Sequence, residues 1–216
     1  MTFCVALLGG SFDPVHRGHV ALAALFDELL DPDQMRVIPA GQPWQKNGLQ
    51  ASAEARVAML ELAFGEAGLE VEIDLREVRR GAPTYTIDTL RELRAELGPQ
   101  AALVFLIGAD QLQQLDSWHA WRSLFDYAHI GVAARPGFAL DGAALPPAVA
   151  AEMNTRQGSL AQLKNTACGL VYLAHTLAVD VSATQIRAAL QRGDRAISLI
   201  PPVVLDYIQQ HNLYKI

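Results

Sequence analysis

The residues best able to do chemistry stand together near the start of the chain, in Gly9-Gly10-Ser11-Phe12-Asp13-Pro14-Val15-His16-Arg17-Gly18-His19. His16 and His19 are three apart, so near a helix start both imidazoles lie on one face. Gly9 and Gly10 permit close backbone approach, and a helix N-terminus turns N–H groups toward an anion. Two imidazole donors beside such a terminus suit a polyphosphate whose charge grows during displacement. Plainer readings exist: Gly-Gly is also an ordinary turn, and two histidines three apart also suit a metal pair or simple surface positions. No third His, Cys or carboxylate is placed as an obvious ligand, so no metal site is assigned.

This constellation needs a strand that ends at Gly9 and a helix that begins near His16. Phe3 to Leu8 is a continuous apolar run closed by Gly9-Gly10, which predicts a strand buried on both faces. Val20 to Leu30 carries its apolar residues at helical spacing and stops at Asp31-Pro32. Met35 to Pro39 reads as a second strand and Ala40 to Gln50 as a loop, after which Ser52 caps a helix over Ala53 to Phe64. Leu69 to Leu75 alternates as a strand with one wet face would, and Thr86 to Leu97 is an amphipathic helix ended by Gly98-Pro99. Ala102 to Ile107, His129 to Ala134 and Leu170 to Ala174 read as three further strands.

Strands alternating with helices predict an α/β fold, with a parallel sheet covered on both faces. Residues 1–216 read as one domain, with a helical C-terminal portion over 181–216 formed by helices at Ser182–Arg192 and Pro201–Gln210. Gly137 to Gln157, rich in Ala, Pro and Gly, reads as a variable surface insertion.

Composition bounds the function. The chain has 216 residues, 51% of them hydrophobic, which supports one substantial core and excludes general disorder. With 17 Lys and Arg against 23 Asp and Glu, the formal charge of −6 argues against a protein that coats nucleic acid. Cys4 and Cys168 are the only cysteines, so neither a disulfide scaffold nor a multi-cysteine zinc site is available. The apolar start has no basic residue before Arg17, and the other apolar runs are far shorter than the roughly 20 residues of a membrane span. The expectation is a cytoplasmic protein with no membrane partner.

Three other segments carry polar side chains where a ligand would need them. In Val181-Ser182-Ala183-Thr184-Gln185-Ile186-Arg187, Ser182 and Gln185 form a capping box, which leaves Thr184 and Arg187 unexplained. One turn into that helix, the Arg187 fork is placed to grip a phosphate held at the N-terminus. Thr86 sits at a helix entry and serves as an N-cap candidate. Gly108 ends a strand at the ligand-binding edge of such a sheet, which puts Asp110 within reach of a ribose. Trp118 and Trp121, three apart, read either as a core stripe or as a surface on which a ring can stack.

The first segment resembles the signature of the nucleotidylyltransferases with a His-x-Gly-His motif, and within them most of all the bacterial nicotinate-nucleotide adenylyltransferases. Further motifs follow in that family's order over nearly the whole chain. Val181 to Arg187 resembles its Ile-Ser-x-Thr-x-Ile-Arg segment. Thr84-Tyr85-Thr86 resembles its Ser-Tyr-Thr segment, with Thr84 in place of Ser. Gly108-Ala109-Asp110 and then Asp116-Ser117-Trp118-His119 resemble its Gly-x-Asp and Trp block. The loop Pro39 to Lys46 departs from the usual pattern, because Trp44 and Gln45 replace a second proline and a histidine. Lys46 keeps the cation.

The resemblance implies a Rossmann-like fold that joins nicotinate mononucleotide to ATP, giving deamido-NAD and pyrophosphate. It implies that His16, His19 and Arg187 act on the ATP phosphates, and that Gly9, Gly10, Ser11 and Phe12 line the nucleotide cleft. It also places Gly108, Asp110, Arg135, Ser182 and Thr184 on the ATP side. On the mononucleotide side it places Lys46 at the phosphate, Thr86 beside the nicotinate carboxylate, Asp110 at the ribose and Trp118 on the pyridine ring. Mg²⁺ is expected to arrive with ATP.

The implied reaction is an in-line displacement by an already anionic phosphate oxygen, which requires no strong general base and no covalent enzyme intermediate. Other readings are an adenylyl- or cytidylyltransferase with a different acceptor, a nicotinamide preference, and a non-catalytic nucleotide sensor. A sensor would be expected to lose phosphate-contacting side chains, yet His16, His19, Lys46 and Arg187 are all present. A class-I aminoacyl-tRNA synthetase fragment fits the acidic charge and short length poorly. Oligomeric state has no signal in the sequence.

Overall fold

A computed structural model describes residues 2–43, 49–134, 145–174, 182–193 and 198–214. The strands are β1 (Cys4–Gly10), β2 (Gln34–Pro39), β3 (Gln42–Pro43), β4 (Glu72–Ile73), β5 (Pro83–Thr84), β6 (Ala102–Gly108), β7 (His129–Ala133) and β8 (Val171–Ala174). The helices are α1 (Arg17–Leu30), α2 (Ala53–Ala67), α3 (Arg76–Arg79), α4 (Thr86–Leu97), α5 (Ala109–Leu112), α6 (Pro147–Arg156), α7 (Leu160–Asn165), α8 (Ala183–Gln191) and α9 (Pro202–Gln210). Six strands form a parallel sheet in the order β4-β2-β1-β6-β7-β8, while β3 and β5 pair separately, also in parallel.

The continuous apolar run of β1 has a direct explanation. Alternate side chains point to opposite faces, so Cys4, Ala6 and Leu8 enter one core and Val5 and Leu7 the other. The first core holds Phe26 of α1 and Phe64 of α2, and the second holds Leu90 of α4 and Phe125. This is the α/β, Rossmann-like sheet with helices on both faces that the sequence predicts. Burial pushes the Cys4 thiol up to about 11, as suits a packing residue.

Helix α4 spans the predicted residues, but its N-cap is Tyr85, and Thr86 is the first helical residue. The predicted strand over Leu69–Leu75 shortens to the two residues of β4. Its end is set by Asp74, which turns its carboxylate back to accept the Arg76 amide at 3.0 Å and pairs with Arg36 and Arg76. The expected insertion at 137–157 is corrected in its second half: α6 opens with Pro147 and buries Val149 and Met153, four apart, in the second core. Residues 137–144 lie outside the described residues.

Because β1 pairs with β2 on one side and with β6 on the other, the strand order reverses between β1 and β6. In an open parallel sheet, the crevice at the carboxyl ends of the strands at that reversal is where ligands bind.

Candidate active site

A cleft opens at that reversal, with about 820 Å³ of space between its walls when the solvent at its open mouth is counted. Gly9, Gly10 and Ser11 form one wall, Thr84 to Thr86 and Thr89 another, and Phe105, Trp118 and His119 close the space between them. The two glycines let aromatic rings pack closely against this backbone. A Cβ on Gly9 would lie 3.1 Å from the Phe105 ring, and one on Gly10 would lie 3.0 Å from the Phe12 ring. Phe12 is itself fully buried, with φ of 48°. Its ring packs against the Gly10 side of the turn and is not among the groups that line the cleft.

The turn from Ser11 to His16 is gripped from four distant places. Asp13 is 3% exposed, and its carboxylate accepts the amides of Gln50 at 2.8 Å and Ala51 at 3.0 Å and the Tyr214 hydroxyl at 2.8 Å. Arg56, 1% exposed, donates to the Ser11 carbonyl at 2.8 Å. Burial works against the Arg56 charge, and Asp13 offsets that cost. Arg187 donates to the Asp13 carbonyl at 2.7 Å and to Thr184 Oγ1 at 3.2 Å. Ser182 caps α8 in the predicted capping box with Gln185, the two bonds each at 3.3 Å. The second signature therefore does two things: Ser182 and Gln185 fix the helix start, and Arg187, which also bonds Thr184, fastens it to the first signature.

His16 caps α1, and the helix begins at Arg17. The His16 and His19 rings stack with centroids 3.6 Å apart and planes 20° from parallel, and Phe12 meets His19 edge-on at 4.8 Å. The His16 amide donates to Nδ1 of His19 at 3.2 Å. An N–H can only donate, so Nδ1 accepts, and the neutral His19 ring carries its proton on Nε2. The Arg17 amide donates to the Leu199 carbonyl at 2.9 Å, and the His19 amide returns to the His16 carbonyl at 2.9 Å. Fewer N–H groups of this helix end are thus open to an anion than its sequence suggests, and the imidazoles are left as the chemically distinctive groups there.

The two tryptophans divide the alternatives between them. Trp121 is buried in the second core, whereas Trp118 lines the cleft, edge-on to Phe105 at 6.2 Å. Thr86 faces the same cleft. Asp110 is exposed at the start of α5, whose N-cap is Gly108; neither lines the enclosed space. His16, His19, Thr184 and Arg187 also lie outside the enclosed part. Lys46 and Arg135 fall outside the described residues, as do Trp44 and Gln45.

Sequence reasoning missed Asp13, Arg56 and Tyr214, whose partners are far along the chain, and Glu77. Glu77 lines the cleft and accepts the Thr89 hydroxyl at 2.7 Å, while burial pushes its carboxyl up. Gly41 passes so close to α3 that a Cβ there would sit 2.1 Å from the Glu77 carbonyl oxygen. Among the described residues, no group of three or more His, Cys, Asp and Glu is arranged to hold a metal ion. No helix among them is long and apolar enough to cross a membrane.

Comparison with known proteins places this arrangement. Residues 7–189 match the cytidylyltransferase-like family. The chain is 60% identical over 215 residues to a probable nicotinate-nucleotide adenylyltransferase of Herminiimonas arsenicoxydans, covering 100% of this chain and 98% of that one. It is 48% identical to a protein of the same description from Laribacter hongkongensis, over 98% of this chain and 94% of that one. Among solved structures, the nicotinic acid mononucleotide adenylyltransferase of Plasmodium falciparum, complexed with NaAD, superposes with a TM-score of 0.72. That likeness covers 98% of this chain and 97% of the other at 19% identity, and it supports the fold.

Proposed function

The chain belongs to the nicotinate-nucleotide adenylyltransferases of the cytidylyltransferase-like family, and from that premise we infer how its residues carry the reaction. It transfers the adenylyl group of ATP to nicotinate mononucleotide, giving deamido-NAD and pyrophosphate, a step of NAD biosynthesis. A phosphate oxygen of the mononucleotide forms the new bond to the α-phosphorus. The bond from that phosphorus to the bridging oxygen of the β-phosphate breaks, and pyrophosphate leaves with the electron pair. The nucleophile is already an anion near neutral pH, so the chain's task is to position reactants and stabilise charge.

The observation that carries the residue assignment is the fixed imidazole pair at the start of α1. With Nδ1 of His19 accepting the His16 amide, the donor of the neutral ring is Nε2–H, and we assign it to phosphate oxygens as charge builds toward the leaving group. Arg187 supports that contact by holding the Asp13 carbonyl while its fork faces the same turn. Gly9, Gly10 and Ser11 form the nucleotide side of the cleft, with Gly108, Asp110, Arg135, Ser182 and Thr184 as further ATP-side positions. Thr86, Trp118, Asp110 and Lys46 serve the mononucleotide, Trp118 by stacking on the pyridine ring.

A divalent metal ion accompanies ATP, and Mg²⁺ is the ion we assign; it would offset negative charge on the phosphates. The site residues fit such delivery: they offer imidazole, guanidinium and hydroxyl groups, and among the described residues no group of three or more His, Cys, Asp and Glu is arranged to hold a metal ion. The reading extends to one nucleotidylyltransferase domain over 1–216, with 181–216 as its helical C-terminal portion, acting in the cytoplasm.

The test is to supply ATP labelled at the α-phosphorus together with nicotinate mononucleotide and Mg²⁺. The label is expected in the dinucleotide, with none retained on the protein. Label bound covalently to the protein would overturn direct transfer, and no labelled dinucleotide would overturn the activity.

A further inference from the structure

The reaction uses the Ser11–His16 turn, but nothing in that chemistry explains why a tyrosine 201 residues away should be tied to it. Tyr214 is 6% exposed, and its hydroxyl donates to Oδ1 of Asp13 at 2.8 Å. That oxygen also accepts the Ala51 amide at 3.0 Å, and Oδ2 accepts the Gln50 amide at 2.8 Å. Burial and the neighbouring carboxylate push the Tyr214 phenol up, which favours the protonated, donating form.

The segment that delivers Tyr214 is itself fixed. Val204 and Ile208 of α9 are buried in the first core, and the Val203 amide donates to Glu66 of α2 at 3.2 Å. The Leu213 amide closes onto the Ile208 carbonyl at 3.0 Å, directly before Tyr214. Upstream, the Leu199 carbonyl accepts the Arg17 amide, so the same segment also touches the first residue of α1. It thus meets the signature turn at both ends: at Asp13 through Tyr214 and at Arg17 through Leu199.

We propose that Tyr214 is a positioning residue for adenylyl transfer, whose hydrogen bond to Asp13 sets the Ser11–His16 turn and through it the orientation of the His16 and His19 imidazoles. This rests on the adenylyl-transfer reading above. Without the Tyr214 hydroxyl, Oδ1 keeps only the Ala51 amide and Oδ2 the Gln50 amide, both from one side of the chain, and the hold of the C-terminal segment on the carboxylate is lost. Only Pro14 and Val15 separate Asp13 from His16, so a small rotation there displaces the ring against which His19 stacks. Misplacement of catalytic groups by about 1 Å costs on the order of 100-fold in rate.

The test uses Tyr214→Phe in the full chain, which removes one hydroxyl and keeps the ring. The turnover number for pyrophosphate release is expected to fall about tenfold or more, with the Michaelis constant for the mononucleotide changed less than about twofold. Val149→Ala, which empties part of the second core away from Asp13 and α9, is expected to lower the melting temperature and keep the wild-type turnover number. If Tyr214→Phe turns over like the wild type, or if Val149→Ala loses turnover equally, the bond is merely structural and the proposal fails.

Combining Tyr214→Phe with Asp13→Asn is expected to lower the turnover number no further than Asp13→Asn alone, whereas multiplied losses would contradict coupling through Asp13. The ring-proton resonances of His16 and His19 are expected to shift in Tyr214→Phe, and unchanged resonances would overturn the proposal. That arm needs no activity. A wild-type protein that releases no pyrophosphate would therefore sink the adenylyl-transfer reading while the spectrum still decides the role of Tyr214.

Discussion

The amide of His16 donates to Nδ1 of His19 across 3.2 Å, and the two rings lie stacked with their centroids 3.6 Å apart. The spacing of three residues thus does more than place both imidazoles on one face. It ties one nitrogen of His19 to the backbone and leaves the other as a donor of fixed direction.

His19→Ala removes that donor. Its turnover number is expected to fall about 100- to 1,000-fold, the usual cost of losing one preorganised transition-state contact. The melting temperature is expected to change little, because His19 is only partly buried. Steady-state pyrophosphate release together with a thermal melt checks both halves. Near-normal turnover in the folded variant would remove His19 from the mechanism.

Trp118 and Trp121 are expected to respond in opposite ways. Trp118→Ala raises the Michaelis constant for the mononucleotide roughly tenfold, as loss of ring stacking does elsewhere, and leaves that for ATP nearly unchanged. Trp121→Ala costs about 3 kcal/mol of stability, the ordinary penalty for emptying a buried aromatic site. Substrate titrations and denaturant unfolding of both variants decide. Unfolding in the Trp118 variant would return that residue to the core.

Arg187→Lys keeps the charge and loses the fork that reaches the Asp13 carbonyl and Thr184 together. The turnover number is expected to fall about tenfold, since a lysine ammonium cannot reproduce a forked contact. A lysine variant with the wild-type turnover number would show that charge alone suffices there.

His129 supplies a pH dependence of stability separate from catalysis. It is fully buried, its Nε2–H donates to the Thr166 carbonyl at 2.8 Å, and its Nδ1 accepts the Leu170 amide at 3.0 Å. Burial holds its pKa below the ordinary 6.5. The unfolded chain therefore takes up a proton at a pH where the folded chain does not, and stability falls as pH drops below about 6.5. Melting curves at pH 7.5 and 5.5 are expected to show a larger loss for the wild type than for His129→Asn. Equal losses would place the acid sensitivity elsewhere.

What the sequence disclosed and what it concealed separate along one physical line. The strand at Cys4–Gly10, the helix at Thr86–Leu97 and the Ser182 cap follow from periodicity and from residues within one turn of each other. The histidine pair was legible because both members lie in one short motif. Asp13, Arg56 and Tyr214 were not, because a hydrogen bond between residues 13 and 214 leaves no local pattern.

Arg94 makes the same point. On α4 it looks like an ordinary polar residue, yet it donates to the carbonyls of Gly98, Ala101, Tyr127 and Ala167 and joins three loops. Helix α6 was concealed for a different reason: its alanines and leading prolines resemble loop composition, and only Val149 and Met153 mark its buried face.

The most direct test of the central claim compares nicotinate mononucleotide with nicotinamide mononucleotide as acceptors, following pyrophosphate release with ATP and Mg²⁺. The account predicts rapid release with the nicotinate form and much slower release with the nicotinamide form. Equal rates, or a preference for the nicotinamide form, would contradict the acceptor assignment, and release with neither would contradict the activity itself.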